Sequence, residues 1–79
     1  KQHHEIDFIL QKSLRHIVAI ECKWSADQFE AGNLKVFRGL HPLGENFVVA
    51  SDVDRSYSRD YQGLRVNFVN LEGLISALI

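Results

Sequence analysis

Residues 17–23 read Ile-Val-Ala-Ile-Glu-Cys-Lys (IVAIECK), and upstream of them residues 6–10 read Ile-Asp-Phe-Ile-Leu (IDFIL). Both runs are rich in isoleucine, valine and phenylalanine, which predicts strands over residues 6–10 and 17–22, joined by residues 11–16. Apolar residues fall on adjacent as well as alternate positions, the pattern of strands covered on both faces, so both are expected inside a sheet. Three ionisable residues interrupt these apolar runs: Asp7, Glu21 and Lys23. A charged group is costly to bury unless it is paired or bound to a metal, so their positions need a cause.

Spacing supplies one. Glu21 and Lys23 are two apart on a strand, so their side chains leave the same face. An antiparallel hairpin can set Asp7 opposite Glu21, and directly opposed residues share a face. That pairing makes opposed numbers sum to 28 and requires an odd connection, Ser13-Leu14-Arg15 with Lys12 opposite His16. A two-residue turn would instead set Asp7 against Ile20 and mix carboxylate with isoleucine on one face. The odd loop is therefore expected. Opposed Cα atoms then lie about 4.5–5.5 Å apart, close enough for two carboxylates to share one divalent cation. Mg²⁺ or Mn²⁺ would relieve their repulsion, with the Cys22 backbone carbonyl as a third oxygen. Lys23 would orient or deprotonate the attacking water, or neutralise charge building on a phosphate. The chemistry indicated is metal-assisted phosphodiester hydrolysis.

Outward from this core, Ser25 and Gln28 form a capping box, and Trp24 with Phe29 is placed for a hydrophobic staple, a role favoured over base stacking for Trp24. A helix is expected from this cap to Gly39 and Pro42, with Phe29, Val36, Phe37 and Leu40 facing the sheet and Lys35 and Arg38 in solvent. Residues 46–51 (NFVVAS) predict a third strand, parallel to its predecessor because a helix intervenes. Residues 52–63 read as a polar surface loop, residues 64–69 (LRVNFV) as a short edge strand, and Asn70 as the cap of a helix over residues 71–79. Leu71, Leu74, Ile75 and Leu78 share one face of that helix. The expected fold is α/β, a mixed four-stranded sheet in the order β-β-α-β-β-α, a single domain over residues 1–79.

Composition limits the alternatives. At 79 residues, 46% hydrophobic and 24% charged, the chain suits one small globular domain and argues against disorder. Nine basic and ten acidic residues leave a net charge of −1, so no overall field draws it to nucleic acid or membranes; Arg55, Arg59 and Arg65 are offset by Asp52, Asp54 and Asp60. A single cysteine rules out an internal disulfide and fits a reducing cytoplasm. Apolar runs are too short to span a membrane, so no membrane partner is expected. The chain contains no methionine, and it is expected to be the C-terminal fragment of a longer protein.

The arrangement D…E-x-K, with aspartate opening one strand and E-x-K closing the next before a helix, resembles the PD-(D/E)xK (restriction-endonuclease-like) nuclease superfamily. Glu5-Ile6-Asp7-Phe8 and Ile17-Val18-Ala19-Ile20-Glu21-Cys22-Lys23 are most similar to the nuclease-like C-terminal domain of bacterial and archaeal AAA-type ATPases. The likeness extends over nearly the whole chain. It implies that Asp7 and Glu21 bind the metal, that Lys23 is the catalytic lysine, and that nucleic acid and an ATPase domain of the same parent chain are partners. No Walker A motif is present, so ATP binding would belong to that other domain. The superfamily core opens with a helix and strand that have no counterpart here, making this a truncated core, and no proline precedes Asp7.

Plainer readings stand beside these. Glu21 and Lys23 form an ordinary ion pair in the simplest case. Glu5 serves either as a supporting carboxylate or as a solvated strand end, and His3 and His4 are expected to be simply exposed. Cys22, on the opposite face from Glu21, is expected to be a buried, inert thiol. A catalytically silent module that regulates the ATPase is the alternative function, and homodimerisation through the sheet edge is a third possibility.

Overall fold

The computed structural model describes residues 6–79. Strand β1 (Phe8–Gln11) turns back into β2 (Ile17–Lys23), with Phe8 opposite Ile20 and Gln11 opposite Ile17. Opposed numbers sum to 28, and the Lys12 N–H donates to the His16 carbonyl at 2.9 Å, closing the odd loop that the parity of Asp7 and Glu21 requires. After β2 come a short 3₁₀ turn (Ala26–Gln28), helix α1 (Gly32–Leu40) and strand β3 (Asn46–Ala50), which lies parallel to β2. Strands β4 (Tyr57–Tyr61) and β5 (Leu64–Val69) form a hairpin, and helix α2 (Leu71–Leu78) closes the described fold. The sheet order is β1-β2-β3-β5-β4. The fold class is thus α/β, with a mixed sheet of five strands rather than four.

The fifth strand lies in the stretch expected to be a loop. Tyr57, Arg59 and Tyr61 share the face of Phe68, their register partners being Phe68, Val66 and Leu64. An edge strand needs one apolar face only, and two tyrosines supply it: the Tyr57 ring stacks on Phe68 with centroids 4.9 Å apart. Gln62 and Gly63, both with positive φ (57° and 91°), make the two-residue turn whose twist matches an antiparallel hairpin. In consequence β5 lies between β3 and β4, and the edge position expected for it belongs to β4.

The two faces carry separate cores. Ala19, Val48, Ala50, Val66 and Phe68 pack with Phe29, Leu34 and Val53 on the α1 face. Val18, Ile20, Phe47 and Val69 pack with Leu74 and Leu78 of α2 on the other. Leu71 and Ile75, expected beside them, are largely exposed. Asn70 caps α2 as expected, its side-chain oxygen accepting from the Gly73 N–H at 2.8 Å.

Strand β2 is buried on both faces along Val18–Glu21, but β1 is not covered: Phe8, Ile9 and Leu10 are 60%, 54% and 43% exposed. The apolar run of β1 resembles that of β2, yet β1 is the sheet edge and no described element lies over it.

The expected single helix is divided. Ser25 and Gln28 do make the capping box, but on the 3₁₀ turn. Phe29 is extended (φ −71°, ψ 134°), which drops its ring into an edge-to-face cluster with Tyr61 and Phe68, and α1 starts afresh after Ala31. With Phe29 outside the helix, the buried pair is Leu34 and Arg38, four apart; Phe37 packs half-buried against the core as expected, while Val36 and Leu40 are exposed.

Arg38, expected in solvent, is therefore buried. Its Nε donates to Asn46 Oδ1 (2.7 Å), Nη1 to the carbonyls of His41 and Leu43, and Nη2 to those of Ile17 and Glu45. All five contacts go to neutral oxygens, and burial lowers its pKa from the usual guanidinium value. The fan ties the end of α1 to the starts of β2 and β3. Gly44 passes so close to Ile17 that a Cβ would overlap the Ile17 carbonyl, and its φ of +137° suits only glycine.

Candidate functional site

The E-x-K segment ends β2, where the chain leaves the sheet. Glu21 lies beside Val48 in the parallel register, and on the α1 face of the sheet with Ala19. Burial on this face leaves Glu21 5% exposed. One carboxylate oxygen, Oε1, lies 4.0 Å from Lys23 Nζ, a loose ion pair with a partly exposed amine. The other, Oε2, is buried and accepts no hydrogen bond from the described residues. Burial raises the Glu21 pKa above the usual carboxylate range; Lys23 pulls it down, and the negative charge of Asp7 pushes it up again. Native proteins rarely leave a buried polar atom without a partner, so Oε2 calls for an explanation.

Asp7 stands in a bend immediately before β1, next to Phe8, whose register partner Ile20 precedes Glu21. It is exposed, and its Oδ2 accepts a 2.8 Å hydrogen bond from the Cys22 N–H. The carboxylate thereby occupies the place on the β2 edge where a further β1 residue would have paired. A strand residue presents its N–H and C=O to the same edge, so the Cys22 carbonyl is directed to the side on which Asp7 lies. Asp7, Glu21 and Lys23 are thus brought together, with two carboxylates, an amine and a backbone carbonyl at one strand end.

The donor set fits a hard divalent cation, which takes a few carboxylate and carbonyl oxygens and keeps waters of its own. The orphaned Glu21 Oε2 is the observation that favours this fit. Among the described residues no three His, Cys, Asp or Glu side chains gather, so the set amounts to two acids plus backbone. Glu5, His3 and His4 lie outside the described residues.

Cys22 corrects an expectation. Its side chain leaves the face opposite Glu21, but the residue, near the end of β2, is exposed rather than buried. Partial burial of the sulfur and then the nearby Asp7 charge push its thiol pKa up, which keeps it protonated at neutral pH.

Trp24 is the other correction. A staple needs the residue before the cap to meet one in the first helical turns, and here that segment is a 3₁₀ turn from which Phe29 turns inward. Trp24 is left 83% exposed. Its backbone is nonetheless fixed, since Ser51 Oγ donates to the Trp24 carbonyl at 2.6 Å. Next to it, Asp52 accepts from the Ser25 hydroxyl (2.8 Å) and the Ala26 N–H (3.0 Å). Those two donors hold the Asp52 carboxyl below its usual range, the Ala26 N–H contributing most. A cleft of about 620 Å³ opens here, lined among the described residues by Cys22, Lys23, Trp24 and Gln28. It meets the acid pair at Lys23. The staple reading hid this placement, and the signal that pointed to it was the tryptophan's position directly after E-x-K.

Comparison with protein-family models, with curated proteins and with solved structures finds no match.

Proposed function

We propose that this chain is a metal-dependent nuclease-like domain that hydrolyses nucleic-acid phosphodiesters, attached in its parent protein to an ATPase domain. The observation that carries the reading is Glu21: a buried carboxylate with one oxygen unpartnered among the described residues, across the hairpin from a second acid and 4.0 Å from an amine. An assembly built only for stability would gain little from burying that charge, since an acid left partly unsatisfied costs more than an apolar residue in its place. Asp7, Glu21 and the Cys22 carbonyl would hold Mg²⁺ or Mn²⁺, which when bound supplies charge stabilisation at a phosphate oxygen. Lys23 orients the attacking water or neutralises the developing phosphate charge, and a pair of this kind explains why it sits loosely on Glu21 rather than bonding it closely. The short likeness of EIDF and IVAIECK to the C-terminal domains of AAA-type ATPases supports the attachment.

The second reading, a catalytically silent module that regulates or positions the ATPase, is favoured by Asp7: one of its oxygens already serves the Cys22 N–H as a structural cap. Calorimetric titration with Mn²⁺ and a cleavage assay on the protein with its attached domains separate the two. The nuclease reading expects saturable Mn²⁺ binding and cleavage, with cleavage lost in Asp7→Ala and Lys23→Ala. Cleavage that survives either substitution removes the mechanism, and absence of both binding and cleavage favours the silent module.

The described residues contain no helix long and apolar enough to cross a membrane. A cytoplasmic setting remains part of the proposal, in keeping with the single unpaired cysteine.

A further inference from the structure

Trp24 is the chain's one tryptophan, and the fold holds it out into solvent. An indole is the largest apolar side chain a protein can bury, and here four aromatic rings of the described residues, Phe29, Tyr57, Tyr61 and Phe68, form a cluster in which it takes no part. Its exposure is not slackness of the chain. The Trp24 carbonyl is held by Ser51, and the two residues after it are held by Asp52, so the backbone under the indole is pinned from the β3 end. The same indole lines the cleft with Lys23, whose amine is the group 4.0 Å from Glu21. An exposed indole on a held backbone thus follows directly on the lysine that pairs with Glu21, and both residues line the one cleft. The cleft is open to solvent, so a planar ring can reach the indole from outside.

We propose that Trp24 is a stacking platform for an unpaired nucleobase, which would make single-stranded or frayed nucleic acid the substrate class of this site. The proposal rests on the nuclease-like reading for the location of the phosphate, and extends it to the base. A base locked in a duplex has both faces covered by its neighbours and has none to offer an indole. An unpaired base has a free face, and every base has one, so recognition would tolerate sequence. Lys23 meets the adjoining phosphate, which sets the stacked nucleotide next to the acids. DNA and RNA share this chemistry.

The single tryptophan gives a direct readout. Its emission is titrated with oligothymidylate, with oligouridylate and with a blunt duplex, in the absence of divalent metal so that nothing is cut. Quenching that saturates with either single strand, and is much weaker with the duplex, is expected; the two single strands against each other tell DNA from RNA. In a parallel anisotropy titration with labelled single strands, Trp24→Ala should weaken binding by about 5- to 150-fold and Trp24→Phe should retain most of it. The thermal melt of Trp24→Ala should match that of the parent, since an exposed side chain is removed. Unquenched emission overturns the proposal, as does equal affinity of Trp24→Ala. So does emission that follows protein concentration instead of oligonucleotide, which would make Trp24 a self-association residue. Quenching without cleavage by the parent protein refutes the nuclease reading and leaves the platform standing; cleavage with unquenched emission refutes the platform alone.

Discussion

Glu21→Gln should stabilise the metal-free protein at neutral pH, against the usual direction for a change at a buried position. The substitution keeps the shape and removes the charge. What it forfeits is the contact to Lys23, and at 4.0 Å with a partly exposed amine that contact is worth about 0–1 kcal/mol. What it relieves is the cost of holding an ionised carboxylate at 5% exposure with Oε2 unpartnered, several kcal/mol for an ion against about 1–3 kcal/mol for an unsatisfied neutral group. Repulsion from Asp7 is relieved as well. The balance favours the amide by about 1–2 kcal/mol, and each kcal/mol moves the Tm of a domain this size by about 4–8 °C. The pH dependence fixes the cause. Because the folded-state pKa of Glu21 is raised, the native protein binds more protons than the unfolded chain between the ordinary value of about 4.3 and the raised one. Stability contributed by this group is thus greatest at low pH and falls as pH rises through that window. Glutamine does not titrate, so the gap between variant and parent should open with rising pH and close in acid. Denaturant melts across pH, read by circular dichroism, measure it. Mn²⁺ should reverse the order: at about 100 times Kd it adds about 2.7 kcal/mol to the parent, and it should leave the variant nearly unmoved. A variant that is less stable at neutral pH, by an amount independent of pH, would refute the reasoning about the buried charge.

Three further outcomes test other parts of the structure. Arg38→Met strips hydrogen bonds from four backbone carbonyls and Asn46, and should cost about 3–5 kcal/mol, much of the stability of a domain this size; Arg38→Lys should rescue little, because one ammonium cannot span the fan, and chemical denaturation measures both. Asp52→Asn should remove an acid sensitivity of sign opposite to that of Glu21: the depressed Asp52 pKa gives stability that is full above the ordinary carboxylate value and lost as pH falls through the folded one, so the parent should weaken in acid more than the variant in a pH-resolved melt. Ile9→Lys should abolish any homodimer formed through the β1 edge, which carries no charge from Phe8 to Gln11; sedimentation equilibrium checks it, and association that survives the lysine excludes that edge.

Much of the site was legible in sequence because it depends on local periodicity. Alternation along a strand is enough to put Glu21 and Lys23 on one face, and the 28-sum register expected from hairpin parity holds from Phe8 to Gln11, stopping one residue short of Asp7. The Ser25–Gln28 capping box, the Asn70 cap and the parallel β3 are similarly short-range, each settled by a few adjacent residues and the chirality of the chain. The β4 hairpin was also written there, in tyrosines two positions to either side of Arg59 and a Gln-Gly turn, but arginine and aspartate between them gave it the composition of a loop.

Burial followed another rule. Whether Phe8, Ile9 and Leu10 are covered depends on what lies across from them, and the same apolar lettering is core in β2 and surface in β1. Arg38 is interior because four oxygens of residues 41–46 and the carbonyl of Ile17, far away in sequence, meet where its guanidinium ends. Trp24 is exterior because Phe29, five residues on, found rings on β4 and β5 to pack against and drew the chain out of its helix. Neighbours in sequence set direction and register; neighbours in space, brought together only once the sheet closes, decide which of those side chains meet water.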